Sequence, residues 1–312
     1  MYTFNDRTVV ITGGTRGLGL ALAREAGRQG ARVAICARNA AEIDAARQDL
    51  ASRGIRVYAQ VCDIRNRTEV DDFIENTRAA LDDVDVLVNN AGVIQVGPFE
   101  AMTLEDFQEA LEVSLYGPLY FTWATLPDMR RRDEGRIVNI SSFGGLVGVP
   151  HLSPYCAGKF ALTGLSESLR AELAPEGISV TNVCPWLMRT GSPRHAIFKG
   201  DAAREKAWFL AGAVMPLLTM KPERAARKIL EASRRGRAQL ILTPQGKFAV
   251  RMKQLFPELT LRLLSVIDRV LPPPDGAGTE RREGAEVELP PALRGAERLN
   301  ERYGRALHEY VQ

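Results

Sequence analysis

Residues 8–19, TVVITGGTRGLG, place a short β-branched run and a glycine-rich turn directly before an amphipathic pattern over 17–29. Glycines let a backbone turn tightly and approach a pyrophosphate, which then lies on the free N–H groups of a helix N-terminus. The spacing is GxxxGxG, and no Gly-Lys-Ser/Thr follows, so this is not a P-loop. The stretch predicts a dinucleotide-binding strand–turn–helix unit; a glycine-rich turn without a ligand is the alternative.

The same alternation of strands and helices continues along the chain. Further strands are predicted over 32–37, 55–62, 84–90, 136–141, 178–184 and 238–243, and helices over 67–80, 105–131, 154–173 and 222–235. This rhythm indicates right-handed βαβ units and a mostly parallel sheet with helices on both faces. The expected fold is α/β, a doubly wound Rossmann-type sheet in a single domain with a C-terminal helical extension.

The composition changes near residue 250, so we expect a dinucleotide-binding and catalytic domain over 1–250 and an extension over 251–312. Residues 251–271 have a helical pattern that Pro257 interrupts, and 292–310 have a second one. Between them, 272–286 are rich in proline, glycine and charge, which is typical of a linker or a disordered segment.

The bulk composition is typical of a soluble globular protein. Of 312 residues, 45% are hydrophobic and 25% charged, and a net charge of +3 is too small to indicate nucleic acid or an anionic membrane as the main partner. The four cysteines form no CxxC pair, and no metal site is expected. We see no signal peptide and no long apolar run, so the expected location is the cytoplasm.

The end of the second predicted strand bears on the choice of cofactor. Many NAD-binding folds place an acidic residue there for the ribose 2′-hydroxyl, whereas this chain has Cys36-Ala37-Arg38. A guanidinium pairs well with a 2′-phosphate, and Arg16 in the glycine turn could flank the same group. The pattern favours NADP(H); two solvated surface arginines are the alternative.

Tyr155 and Lys159 form a YxxxK pattern at the start of a predicted helix. Residues four apart share a helix face, so the phenol and the ammonium should point the same way. A cation about 4 Å away could lower the phenol pKa from about 10 by about two to three units, which suits proton transfer. Ser141 and Ser142 end the strand at 136–141, at the edge of the sheet where ligands bind. Either pattern alone is weak.

Together these motifs resemble the short-chain dehydrogenase/reductase family over about residues 5–245. TGGTRGLG resembles its cofactor loop, Asn89-Asn90-Ala91-Gly92 its NNAG motif, and Ser142, Tyr155 and Lys159 its catalytic set. The resemblance implies that Tyr155 exchanges a proton with the substrate oxygen, Ser142 orients that oxygen, and Lys159 lowers the tyrosine pKa and binds the nicotinamide ribose. It implies cofactor contacts by Gly13, Thr15, Arg16, Gly17, Leu18, Gly19, Arg38, Asp63, Asn90, Ala91, Gly92, Tyr155, Lys159, Pro185 and Thr190.

The chain departs from the family pattern at two positions. Ser114 stands where the family commonly has an asparagine that supports a proton-relay water, so we expect a slower relay. Trp186 follows Pro185 where the family has glycine, and it should reshape the nicotinamide pocket or pack on the substrate loop.

The sequence supports an NADP(H)-dependent oxidoreductase that acts on a lipophilic alcohol or ketone. The apolar stretch 207–218 suggests an apolar pocket. A 3-oxoacyl thioester reductase and a non-catalytic NADP(H)-binding regulator are the alternatives. We expect a homodimer or homotetramer. The apolar stripe of the 258–271 helix should dock on the protein itself or a second subunit, with peripheral membrane contact as the lesser alternative.

Overall fold

The computed structural model describes residues 2–214, 219–274, 278–290 and 293–309, and a parallel sheet forms its centre. The strands are β1 (Thr8–Thr12), β2 (Arg32–Ala37), β3 (Val57–Val61), β4 (Val86–Asn89), β5 (Gln95–Val96), β6 (Gly135–Ile140), β7 (Ile178–Cys184), β8 (Ile197–Phe198), β9 (Gln239–Ile241) and β10 (Arg282–Glu283). The central sheet has seven strands in the order β3-β2-β1-β4-β6-β7-β9. The order reverses between β1 and β4, which creates the crevice where such sheets bind ligands.

Helices cover both faces of this sheet. They are α1 (Gly17–Arg28), α2 (Ala40–Ser52), α3 (Arg67–Leu81), α4 (Leu104–Leu111), α5 (Gly117–Arg131), α6 (Ser153–Leu173), α7 (Ala202–Val214), α8 (Pro222–Arg234), α9 (Pro244–Leu255), α10 (Pro257–Asp268) and α11 (Arg294–Arg305). Alternate residues of β1 enter the two hydrophobic cores, since Val9 and Ile11 pack on one face and Val10 on the other. The predicted single α/β domain with a doubly wound Rossmann-type sheet is confirmed.

Residues 104–131 are helical throughout, as predicted for 105–131, but the helix is not α-helical over its whole length. A π-helical turn over Glu112–Tyr116 separates α4 from α5. Pro118 has no N–H to donate to the carbonyl of Ser114 four residues earlier, so the α-helical bonding pattern cannot pass this point. Such turns often occur at functional positions, and this one contains Ser114.

The extension is more ordered than its composition indicates. The prediction of a linker over 272–286 is wrong for its second half, because β10 pairs antiparallel with β8, which in turn pairs with β5. Residues 275–277, at its centre, lie outside the described residues. Val287 and Leu307 are buried against the main domain. The boundary expected at residue 250 falls inside α9 and stays a prediction.

Among the α-helices that the structure describes, α10 is the one that buries none of its residues. The expected docking of its apolar stripe on the protein is absent from the part of the chain that the structure describes. Across those same residues, no helix is both long enough and apolar enough to traverse a membrane.

Candidate active site

Tyr155 lies in the first turn of α6, as its position after Ser153-Pro154 predicts, although Leu152 rather than Ser153 is the N-cap. Its half-buried ring packs against an apolar cluster that includes Leu152, Phe198 and Phe209. The Tyr155 hydroxyl is hydrogen-bonded to the Ser142 side chain. The Ser142 hydroxyl also accepts a hydrogen bond of 3.0 Å from the Gly144 N–H, which fixes its orientation beyond β6.

Lys159 lies one turn further along α6 and is almost completely buried. Its ammonium donates a 2.9 Å hydrogen bond to the Ile140 carbonyl, at the end of β6. The Ser141 hydroxyl bonds the Lys159 carbonyl at 3.0 Å and the Thr163 hydroxyl at 2.9 Å, so two adjacent residues of one strand end hold this part of α6. The helix and the strand therefore position the proposed acid/base and its neighbouring cation together.

The expected effect of Lys159 on the pKa of Tyr155 is not found. The ammonium lies 5.8 Å from the centre of the tyrosine ring and is directed at Ile140 instead of the phenol. Burial raises the pKa of Tyr155 to about 12, although the Ser142 hydrogen bond acts in the opposite direction. Burial also lowers the pKa of Lys159 to about 8. Desolvation of Tyr155 thus outweighs the expected attraction between its phenolate and the Lys159 ammonium.

The glycine turn has the shape and the donors that an anionic diphosphate requires. Gly13 adopts φ +62°, and a Cβ on Gly19 would collide with the Gly13 carbonyl oxygen. The α1 helix has no side-chain cap and no acidic residue in its first turn, so its N-terminus favours an anion. Leu18 is buried behind the turn. The residues present fit a dinucleotide.

The segment after β4 supports this turn. The Asn90 side chain donates to the carbonyls of Thr12 and Gly13, at 3.0 and 3.1 Å, and the Ala91 N–H donates to the Thr12 hydroxyl at 3.0 Å. A Cβ on Gly92 would lie 3.5 Å from the Lys159 ammonium. The motif therefore connects the glycine turn to the Tyr155–Lys159 helix.

Glu42 lies at the predicted adenosine end, and no sequence motif predicts it there. This buried carboxylate pairs with Arg16 at 2.5 Å and accepts a 2.9 Å hydrogen bond from Thr15. Arg38 is exposed at the end of β2. The carboxylate of Asp63 pairs with Arg65 at 2.6 Å, which holds the pKa of Asp63 below its usual range. Glu42 lies in the first turn of α2, where a glutamate normally indicates helix capping and gives no signal of a ligand site.

The remaining predicted residues lie around the Tyr155 end of the crevice. Ser114 is buried against α6, and a Cβ on Gly158 would lie 3.1 Å from its hydroxyl oxygen. The Pro185 carbonyl accepts a 2.8 Å hydrogen bond from the Phe143 N–H. Thr190, five residues further along the chain, is buried. The Trp186 ring packs edge-on against Phe143, with 4.2 Å between ring centres, so it joins the two loops beyond β6 and β7.

The ionisable side chains of this region do not form a metal centre. Within residues 2–214, 219–274, 278–290 and 293–309, no group of three or more His, Cys, Asp or Glu side chains could hold a metal ion. The chemistry that the crevice offers is proton exchange at a phenol beside a dinucleotide-shaped turn.

Comparison with known proteins gives the same architecture and one family. The family model described as short chain dehydrogenase matches residues 7–196. Epidermal retinol dehydrogenase 2 of Mus musculus is 33% identical over 80% of this chain and 78% of its own length. The crystal structure of a short-chain dehydrogenase from Streptomyces avermitilis superposes with a TM-score of 0.72 at 32% identity, and covers 84% of this chain and 97% of its own.

A third relative has been solved with a cofactor. A tryptophan variant of actinorhodin polyketide ketoreductase, crystallised with NADPH, has a TM-score of 0.68 and 31% identity over 78% of this chain and 97% of its own. The family is one of nicotinamide-dependent oxidoreductases that act on CH–OH and C=O groups. With the sheet order, the glycine turn and the Ser142–Tyr155–Lys159 arrangement in agreement, this chain belongs to the short-chain dehydrogenase/reductase family.

Proposed function

We propose that the protein is an NADP(H)-dependent oxidoreductase that transfers a hydride between the nicotinamide and a lipophilic alcohol or ketone. The observation that carries this proposal is the Tyr155 hydroxyl hydrogen-bonded to Ser142, with Lys159 buried one helical turn away. Two hydroxyls that converge at the carboxyl edge of the sheet suit a substrate oxygen that must be both oriented and protonated.

The chemistry divides between the cofactor and the chain. The bound nicotinamide supplies or accepts the hydride. In reduction, the Ser142 hydroxyl donates a hydrogen bond that orients the substrate carbonyl, and the Tyr155 hydroxyl gives its proton to the carbonyl oxygen as negative charge develops there. In oxidation, the Tyr155 oxygen receives the proton of the alcohol. Lys159, as a buried cation, stabilises the phenolate that remains after proton donation.

The preference for NADP(H) rests on Arg38, because Glu42 already pairs with Arg16. Arg38 is exposed at the end of β2 and has no acidic residue beside it in sequence. The related ketoreductase solved with NADPH supports the same choice. Replacement Arg38→Asp should weaken NADPH binding by about tenfold or more and leave NADH binding much less affected. Fluorescence titration tests this, with Arg47→Asp on the exposed face of α2 as the matched control; equal losses for both nucleotides would contradict it.

A lipophilic substrate is supported by the apolar wall around Tyr155. Leu152, Phe198 and Phe209 pack in one cluster with the tyrosine ring, and Trp186 packs edge-on against Phe143 beside Ser142. Turnover with long-chain ketones and aldehydes, compared with 3-oxoacyl thioesters, tests this proposal. Preference for the thioesters would favour the alternative reductase, and NADPH binding without any turnover would favour a non-catalytic regulator.

The apolar hairpin, which we define as α9 and α10 with the turn after them, is an unusual surface beside this site. Its exposed large side chains are Phe248, Leu255, Phe256, Leu259, Leu261, Leu263, Val266, Ile267 and Val270. Lys253 donates a 2.6 Å hydrogen bond to the Leu146 carbonyl, four residues beyond Ser142, and Asp268 lies 3.6 Å from His151, four residues before Tyr155. The hairpin therefore borders the segment between Ser142 and Tyr155.

We propose that the apolar hairpin binds a lipid surface, which covers its exposed side chains. An exposed apolar helix face of this size is rarely left in water. Lys247, Arg251, Arg262 and Arg269 on the same hairpin outnumber the acidic Glu258 and Asp268 and suit anionic headgroups. The double change Leu263→Glu with Ile267→Glu should abolish co-sedimentation with phosphatidylglycerol vesicles, whereas Leu104→Glu, at another exposed leucine, should not. A change from dimer to monomer without any vesicle effect would instead identify a second subunit as the cover. The expected cytoplasmic location and the homo-oligomer stay predictions.

A further inference from the structure

The C-terminal residues 304–309 lie on the glycine turn. The Gly17 N–H, at the start of α1, donates a 2.9 Å hydrogen bond to the Leu307 carbonyl. The Leu307 side chain is buried in the hydrophobic core that also contains Leu18. A donor at the helix N-terminus where a diphosphate would bind is thus already used by the chain itself.

The carboxylate of Glu309 is held at the same place. A Cβ on Gly17 would lie only 2.5 Å from Oε1 of Glu309, and the Glu309 side chain is 4% exposed. Its Oε2 lies 3.7 Å from Nε of Arg16 and 3.3 Å from Nε2 of His195, yet accepts no hydrogen bond from the described residues. A buried carboxylate beside a helix N-terminus and an arginine occupies the environment that suits a phosphate.

The same segment also reaches the nicotinamide side of the crevice. A Cβ on Gly191 would lie 2.9 Å from Cα of Gly304 and 3.0 Å from Cγ of Glu309. Gly191 directly follows Thr190, one of the residues that the family resemblance implies as cofactor contacts. Residues 304–309 therefore run from the glycine turn to the segment that contains Thr190.

Several contacts hold this segment in place. The Arg24 guanidinium donates a 2.8 Å hydrogen bond to the Ala306 carbonyl, and that of Arg189 lies 5.3 Å from the Tyr303 ring centre. Further back, Lys206 of α7 pairs with Glu297 of α11 at 2.6 Å. The segment is thus docked by its backbone and by the helix before it.

We propose that residues 304–309 form a strap that competes with the dinucleotide for the glycine turn, with the Glu309 carboxylate in the place of a phosphate. The inference rests on the cofactor site of the proposed function. One N–H cannot serve the Leu307 carbonyl and a diphosphate oxygen at full strength, and the two anions repel each other. The strap must leave before the cofactor binds, so the apparent dissociation constant is raised by the reciprocal of the fraction of open molecules.

Nucleotide titration of a chain that ends at Tyr303 tests the strap. If about one molecule in ten is open, removal of the strap should tighten NADPH and NADH binding about tenfold each. Glu309→Gln keeps the backbone and should change both affinities in the same direction by less, whereas Glu288→Gln, at an exposed glutamate of the extension, should change neither. Unchanged or weaker binding of both nucleotides by the folded, shortened chain would overturn the proposal, since residues 304–309 would then support the cofactor or be indifferent to it.

Limited proteolysis gives an independent readout in the full chain. Saturating NADPH should accelerate tryptic cleavage after Arg305, because the strap is displaced; protection by NADPH would overturn the inference. Comparison of NADPH binding with NADH binding distinguishes the strap proposal from the proposed preference for NADP(H). Equal binding of NADPH and NADH removes that preference but leaves the strap effect on their shared diphosphate, and a shortened chain that binds neither nucleotide overturns both.

Discussion

Replacement of Lys159 by methionine should abolish turnover and yet raise the free energy of unfolding at pH 7. Lys159 is 4% exposed, and its ammonium has one hydrogen bond, to the Ile140 carbonyl. Burial lowers its pKa from 10.5 to about 8. At about 1.36 kcal/mol for each pH unit, this difference amounts to a cost of about 3 kcal/mol for a protonated lysine in the folded state. Methionine fills a similar volume without that cost.

The gain in the free energy of unfolding expected for Lys159→Met depends on pH. Because the folded-state pKa lies below the unfolded one, the unfolded state binds the proton more tightly, and the cost is fully present below pH 8. It decreases as the pH rises from about 8 to 10.5, so at pH 9.5 the advantage of Lys159→Met should fall to about half. Urea unfolding of both proteins at pH 7 and pH 9.5 measures the difference.

A second buried lysine provides the control. Lys199 is 1% exposed and pairs with the buried Asp106 carboxylate at 2.5 Å. Lys199→Met should destabilise the fold by about 3 kcal/mol, because the buried carboxylate loses its nearest cation and keeps the longer, part-exposed ion pair with Arg281 at 3.4 Å. A buried, desolvated Lys159 cation is refuted if Lys159→Met is less stable than the parent at pH 7. It is also refuted if the difference in the free energy of unfolding is the same at pH 7 and pH 9.5.

Three further predictions concern the proposed site. Tyr155→Phe should abolish turnover in a carbonyl panel and leave NADPH titrations nearly unchanged, because the hydroxyl donates the proton and the ring does not hold the diphosphate; substantial residual turnover would rule out this acid. Ser114→Asn should retain at least comparable initial rates, since it restores the common family side chain, and a collapse of activity in the folded variant would mean that the π-helical turn works differently here. Glu42→Gln should release Arg16 and improve NADPH binding relative to NADH by up to about tenfold in calorimetry; an unchanged ratio would exclude Arg16 from 2′-phosphate binding.

The sequence predicts the elements near the cofactor turn well, because their signals are local. A β-branched run, the glycines at 13, 17 and 19, and YxxxK at the start of a helix each depend on neighbours a few residues away. The parallel sheet then follows from the repeated alternation of strands and helices. This explains why the family resemblance and the central sheet agree with the structure.

Long-range contacts are what the sequence could not provide. Glu42 looks like a helix-capping residue, and its pairing with Arg16 depends on how α2 packs beside the glycine turn. The pairing of Glu309 with the same arginine joins residues almost the whole chain apart. The pKa of Tyr155 could not be predicted for a similar reason. Helical spacing shows that Tyr155 and Lys159 share a side of α6, but it shows neither their burial nor the Ile140 carbonyl that binds the ammonium.

The small sheet of β5, β8 and β10 has a thermodynamic consequence. It joins a segment that follows the NNAG motif, a segment that follows Thr190, and the C-terminal extension, through two-residue pairings. The middle strand, β8, leads into α7, on which α11 is held by the Lys206–Glu297 pair. A substrate that displaces β8 must either break the β8–β10 pairing and the Lys206–Glu297 ion pair or move the extension together with β8. Occupancy of the alcohol or ketone site and occupancy of the nucleotide site should therefore be linked, each changing the affinity of the other by the same factor.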